Sequence, residues 1–148
     1  MNQNRINVAV VDDDESFARA IGRLLRASGF EVHTYPSAEA FLAPTTLPQP
    51  DCLVLDINLG GLSGLDLHSR LRQAGDPPPI IFVTAHDAPG VREEAERAGC
   101  AAYLLKPVPG KSIIEAINKA VTHRQGGGAS RKNSPGDRRQ GGGRGERR

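Results

Sequence analysis

Asp51-Cys52-Leu53-Val54-Leu55-Asp56-Ile57-Asn58 is the stretch on which the fold turns. Cys52 to Leu55 is an unbroken apolar run, too short for a helix and flanked by Asp51 and Asp56. Such a run reads as a strand buried on both faces, the signature of a parallel sheet. Asp56 then stands at the strand's carboxyl end, followed by Ile57-Asn58 and the flexible Gly60-Gly61. Open α/β sheets bind ligands at the carboxyl ends of their strands. Taken alone, Asp56 reads better as an ordinary strand-ending residue in a turn. Its company elsewhere decides the matter.

Four more strands flank this one. Ile6 to Val11 is β-branched and apolar and runs directly into Asp12-Asp13-Asp14-Glu15, where Asp14 can cap a helix and the acids suit its positive end. Phe17, Ile21, Leu24 and Leu25 recur at helical spacing until Ser28-Gly29. Phe30 to Tyr35 is the second strand and Ser37 to Leu42 a short helix, after which Pro44, Pro48 and Pro50 enforce an extended connection. Ser63-Gly64-Leu65-Asp66 resembles a capping box with Asp in place of Glu and opens a helix that ends at Ala74-Gly75. Ile80 to Thr84 is a second buried strand, apolar through Val83 and closed by the hydroxyl residue Thr84, and a helix follows from Val91 to Ala98. Ala101 to Leu105 is the fifth strand and delivers Lys106-Pro107; the last helix spans Ser112 to His123.

Five strand–helix repeats imply a parallel sheet covered by helices on both faces. Right-handed crossovers allow few arrangements, and the doubly wound, flavodoxin-like (βα)5 order 2-1-3-4-5 is a standard one. In that order the chain reverses between strands 1 and 3, whose ends carry Asp12-Asp13 and Asp56. Strands 4 and 5 end in Thr84 and Lys106. Acidic, hydroxyl and cationic residues therefore converge on one edge.

Composition bounds the rest. A chain of 148 residues is expected to hold about one domain. Residues 1–123 carry 11 Lys and Arg against 15 Asp and Glu, a net −4, whereas residues 124–148 carry 8 against 2, a net +6. A mildly acidic domain over residues 5–123 is thus followed by a basic tail over residues 124–148. The tail contains Gly126-Gly127-Gly128 and Gly141-Gly142-Gly143 and nothing apolar larger than Ala129, so it is expected to be disordered. Its charge would attract phosphates, but it offers no aromatic for stacking on bases, and a solubilising linker or tail is the better reading. No apolar run approaches a membrane span and no signal-peptide core is present, which points to a cytoplasmic protein without membrane contact. Cys52 opens the third strand and Cys100 precedes the fifth, so with one strand between them they stand about 9–10 Å apart, beyond disulfide reach, and read as small buried hydrophobes.

Val10-Val11-Asp12-Asp13-Asp14-Glu15 after strand 1, Asp56 after strand 3, Thr84-Ala85 after strand 4 and Lys106-Pro107 after strand 5 together resemble the receiver domain of two-component response regulators. Each piece is weak alone: the acidic run also reads as a helix start, Thr84 as a common strand end and Lys106 as a solvated charge. In order, and each at a strand end, they are specific. The resemblance covers residues 5 to 123. It implies a signalling module, not an enzyme, in which Asp56 accepts a phosphoryl group from a sensor histidine kinase or a phosphotransfer protein. It further implies that Asp13 binds Mg²⁺ directly, that Asp12 helps through a water, and that Asp56 and the backbone carbonyl of Asn58 complete the protein's ligands. Lys106 would contact a phosphoryl oxygen, and Thr84, with Ala85 beside it, would bind the phosphoryl group and shift on its arrival. Such chemistry needs a nucleophilic carboxylate, a divalent cation and fixed positive charge.

The resemblance also implies a route out of the site. Tyr103 lies three residues before Lys106, at the position of an aromatic that turns inward when the threonine moves. The fourth helix, fifth strand and fifth helix form a common partner or homodimer face in the family. Two departures stand out. Gly60 replaces a common proline and should loosen its loop, and His86, two residues past Thr84, stands at a position that in the family influences phosphate lifetime but reads equally as a solvated loop histidine. His33, His68 and His123 show no metal-ligand spacing. A phosphohydrolase that forms an aspartyl phosphate, as in haloacid-dehalogenase-like enzymes, is the alternative, but it requires a second Asp where this chain has Asn58. A binding-only pseudo-receiver is weaker still, given a complete site. No DNA-binding helix-turn-helix is read after the domain.

Overall fold

The apolar runs and amphipathic segments alternate as β1 (Asn7–Val11), α1 (Glu15–Ala27), β2 (Glu31–Tyr35), α2 (Ala38–Leu42), β3 (Cys52–Leu55), α3 (Gly64–Ala74), β4 (Ile80–Thr84), α4 (Val91–Arg97), β5 (Ala102–Leu105) and α5 (Gly110–Lys132). The computed structural model describes residues 5–132, with side chains described over 5–123. All strands are parallel and their order is β2-β1-β3-β4-β5, the doubly wound, flavodoxin-like arrangement expected from the alternation.

Strand periodicity divides the interior into two cores. Val8, Val10, Cys52, Val54, Ile81 and Val83 face α1 and α5, where Leu25, Ile113 and Ile117 meet them. Ala9, Val11, Leu53, Leu55, Ile80 and Phe82 face the other way, against Leu67 of α3 and Ala95 of α4. All four residues of β3 and all five of β4 are buried, which is why these strands read as continuous apolar runs. Phe82 is wholly buried, and its side chain alone contributes about 1.5–3 kcal/mol by leaving water. Phe82→Ala would cost about 3–5 kcal/mol, because a cavity adds to the lost transfer energy.

Local signals set the helix starts. Asp14 caps α1 by accepting the Phe17 N–H at 3.1 Å. The capping box of α3 is complete: Ser63 Oγ accepts the Asp66 N–H at 3.0 Å, and Asp66 accepts the Ser63 N–H at 3.3 Å. α5 begins two residues before Ser112 and runs on to Lys132, into the segment expected to be tail. Helix propagation gains one hydrogen bond per residue once a turn is anchored, here on Ile113 and Ile117. Residues 133–148, the rest of that segment, lie outside the described residues. Both cysteines are free, and burial pushes the Cys52 thiol up to about 12, as suits a small core residue. Among the described residues no helix is long and apolar enough to cross a membrane.

The ladder continues one residue beyond three of the strands, and this positions the site. The Asp12 N–H donates to the Tyr35 carbonyl at 3.0 Å, Asp56 N–H to Val11 at 3.0 Å and Lys106 N–H to Thr84 at 2.9 Å. The residues that follow β1, β3 and β5 are therefore held by backbone bonds on a single sheet edge.

Candidate functional site

Asp12 and Asp56 are nearly buried, 2% and 6% exposed, and Lys106 lies between them. Its ammonium is 2.8 Å from Asp12 Oδ2 and 3.3 Å from Asp56 Oδ2. Each carboxylate spends its other oxygen on a backbone donor: Asp12 Oδ1 accepts the Asp14 N–H at 2.8 Å, and Asp56 Oδ1 accepts the Asn58 N–H at 3.1 Å. Asp13 is exposed at the rim, and one oxygen from each of Asp12, Asp13 and Asp56 can be chosen so that all lie within 4.8 Å of one another. The peptide bond between Lys106 and Pro107 is cis.

Electrostatics follow from this geometry. Burial is the main reason the Asp12 carboxyl titrates above its ordinary value; Lys106 and the Asp14 N–H work against that rise, and the charge of Asp56 adds to it. Burial also disfavours the Lys106 ammonium, but its bond to Asp12 and the charges of Asp12 and Asp56 outweigh that effect and hold its pKa above the usual value. Two buried carboxylates therefore share one cation. Removing that cation leaves uncompensated charge.

Thr84 is wholly buried at the end of β4, and its Oγ1 accepts the His86 N–H at 3.3 Å. Ala85, His86 and Asn58 are exposed around the mouth. Tyr103 does not join the cluster. It packs with Phe82 in the core on the α3 and α4 side, while Leu104 joins the opposite core, as strand alternation requires. Its hydroxyl donates to Asp87 Oδ1 at 3.2 Å, and the Arg92 guanidinium stands 5.0 Å from its ring centroid.

Three contributors escaped the sequence reading. Phe17 fits the helical spacing of α1, yet its ring centroid is 4.3 Å from the Lys106 ammonium nitrogen. In the sequence Gly64 shows only as the second residue of a capping box. A Cβ there would overlap the Asp56 carbonyl oxygen and come within 2.9 Å of Ile57 Cα, so the start of α3 rests on the backbone of the phosphoacceptor candidate. Glu39 of α2 accepts the Leu62 N–H at 3.1 Å, which tethers the loop that Gly60 was expected to loosen. Gly60 itself faces open space. None of the three carries a periodic signal of its second contact, since Phe17 already satisfies the apolar spacing of α1.

The family model of the response regulator receiver domain matches residues 8–118. Among curated proteins, the chain is 32% identical over 121 residues to the response regulator protein TmoT of Ectopseudomonas mendocina, covering 82% of this chain and 55% of that protein. It is 37% identical over 114 residues to nodulation protein W of Bradyrhizobium diazoefficiens, covering 77% and 50%. The chain thus spans about half the length of the curated relatives it matches. Among solved structures, a response regulator receiver protein from Burkholderia phymatum aligns with a TM-score of 0.70 at 43% identity, over 80% of this chain and 96% of that one. A CheY-like receiver domain protein from Methanospirillum hungatei aligns with a TM-score of 0.78 at 22% identity, over 84% and 99%, and supports the fold alone.

Proposed function

The chain belongs to the response regulator receiver domain family, and from that membership we propose that it is a phosphorylatable signalling module. Asp56 accepts a phosphoryl group from a histidine kinase or phosphotransfer protein, and the product changes partner binding or self-association. The observation that carries this reading is the Lys106 bridge between two buried carboxylates, with a third carboxylate at the rim. The clustered oxygens of Asp12, Asp13 and Asp56 are hard donors that fit Mg²⁺, and the Asn58 carbonyl would add another. Bound there, Mg²⁺ supplies charge neutralisation for the phosphoryl oxygens.

The chain's own residues do the remaining work. An Asp56 oxygen forms the new bond to phosphorus as the bond from phosphorus to the donor's histidine nitrogen breaks. Both Asp56 oxygens are engaged beforehand, Oδ1 by the Asn58 N–H and Oδ2 by Lys106. Lys106 must therefore release Oδ2, and pairing with a phosphoryl oxygen keeps its charge compensated as it does so. Thr84 already accepts a hydrogen bond from His86, so its own hydroxyl hydrogen can donate to the phosphoryl group. The exposed Ala85 and His86 leave the approach open, with His86 placed to influence the lifetime of the acyl phosphate. Tyr103 and the face formed by α4, β5 and α5 carry the output.

The test is incubation with acetyl phosphate and Mg²⁺, followed by mass spectrometry of the base-labile product. Labelling of Asp56 that disappears in Asp56→Asn is the expected result. A label on any other residue sinks the assignment.

A further inference from the structure

Lys106 sits in a three-sided cradle of which only two sides are ionic. Asp12 Oδ2 at 2.8 Å and Asp56 Oδ2 at 3.3 Å take up two directions around the ammonium, and the Phe17 ring, centroid 4.3 Å away, takes the third. The lysine side chain is 13% exposed, so the ring also keeps water from one flank of a charge that is expensive to bury. We propose that Phe17 is a positioning residue for Lys106, holding the ammonium at the carboxylate edge while its ionic partners change. This rests on the reading of Asp56 as phosphoacceptor.

The physical need is specific. A lysine stem has four flexible carbons, and its rotamer freedom must be suppressed wherever the ammonium has to meet a reacting group. In the resting site, Asp12 and Asp56 do this. Both are also the oxygens that a divalent cation and an incoming phosphoryl group would claim, so their hold weakens when Lys106 most needs placement. The ring face attracts the ammonium through its quadrupole and has no ionic partner to be drawn toward. α1 also fixes the ring through the fold: Phe17 lies in the helix's first turn, its backbone N–H donates to Asp14, and its side chain packs on the core shared by α1 and α5.

The experiment compares wild type with Phe17→Leu, which keeps apolar packing without a ring face, and Phe17→Tyr, which keeps the face. The first readout is the proton shifts of the Lys106 side chain in Mg²⁺-free, unphosphorylated protein. An ammonium over a ring face is shifted upfield; the shift should vanish in Phe17→Leu and persist in Phe17→Tyr. The second is phosphorylation by acetyl phosphate across a Mg²⁺ titration. Phe17→Leu should lower the maximal rate about threefold to tenfold, the range such a contact contributes, with half-saturating Mg²⁺ unchanged. Phe17→Tyr should restore the rate. An unchanged maximal rate in Phe17→Leu would overturn the proposal, as would a Phe17→Tyr protein as slow as Phe17→Leu at equal melting temperature. If wild type is not labelled at Asp56, the phosphoacceptor reading fails instead, and the ring-current shift still reports whether Phe17 holds Lys106.

Discussion

The Tyr103 hydroxyl donates to Oδ1 of Asp87 at 3.2 Å, joining β5 to the loop between β4 and α4. Tyr103 is 8% exposed, and Arg92, itself 3.5 Å from Glu96, covers its ring. The aromatic on the proposed output strand is thus held inward by a carboxylate three residues past Thr84. Threonine and tyrosine are connected through that loop, and the connection makes them a candidate two-state element.

Burial, then the Asp87 bond and charge, hold the Tyr103 phenol above its ordinary pKa of 10. Asp87→Ala removes the last two causes. Spectrophotometric titration should therefore show one tyrosine ionising at lower pH in Asp87→Ala than in wild type. The same variant should lose about 0.5–1.5 kcal/mol of stability, the net value of one hydrogen bond. Partner binding or dimerisation measured with and without beryllofluoride should respond in wild type and respond less in Tyr103→Ala. An equal response in both would remove Tyr103 from the output while leaving Asp56 untouched.

Asp13 is the exposed member of the carboxylate group, so its loss should cost function without costing the fold. Asp13→Ala is expected to weaken Mg²⁺ binding by about tenfold or more, since one of few charged oxygen ligands is gone. Calorimetry with unchanged affinity would exclude Asp13 as a ligand. Lys106→Ala acts differently. It strands two buried carboxylates, and the Asp12 carboxyl, already raised by burial, should titrate higher still.

How much of this was legible depends on whether the signal was local. Cys52–Leu55 and Ile80–Val83 announce themselves as unbroken apolar runs because both faces of these strands are buried, and the polar Asp56 and Thr84 mark where each run stops. Ser63 and Asp66 cap each other across three residues, so a four-residue window suffices. The meeting of Asp12, Asp56 and Lys106 followed once strand order was inferred, because each residue ends a strand. Gly64 was opaque: its need for a bare Cα arises from the Asp56–Ile57 backbone lying against it, a tertiary approach that leaves no periodic trace. The Asp87 partner of Tyr103 was hidden likewise, since a loop carboxylate carries no pattern. Phe17 fits the helix's apolar spacing so well that its second contact, with Lys106, was masked.

Gly64 yields a sharp expectation. Its N–H donates to the Ile57 carbonyl at 2.9 Å, and any side chain must displace backbone that carries Asp56. Gly64→Ala should destabilise the fold by about 1–3 kcal/mol, the usual cost of overpacking, despite alanine's better helix propensity. Gly60→Ala, where a Cβ meets nothing within 4 Å, is the control and should be nearly neutral. Denaturant unfolding of the two variants side by side decides it.

The last prediction concerns acid. His68 of α3 is 6% exposed and meets Phe82 edge-on, ring centroids 6.4 Å apart at 71°. Burial first, and the positive charge of Arg72 second, lower its pKa below the ordinary 6.5. Between the folded and unfolded values the unfolded chain binds more protons, so stability rises with pH there. The contribution of a neutral His68 is therefore complete above about pH 6.5 and is lost as pH falls through the lower folded value. Asp12 acts with opposite sign: its folded pKa is raised, so its contribution is complete below its unfolded pKa and is lost as pH rises through the folded one. Comparing wild type with His68→Gln cancels Asp12, which both proteins share. Urea unfolding at several pH values from 7.5 down to 5 should show wild type losing more stability than His68→Gln as the medium is acidified. Parallel curves would mean that His68 takes up its proton without cost, and that burial against Phe82 does not govern its titration.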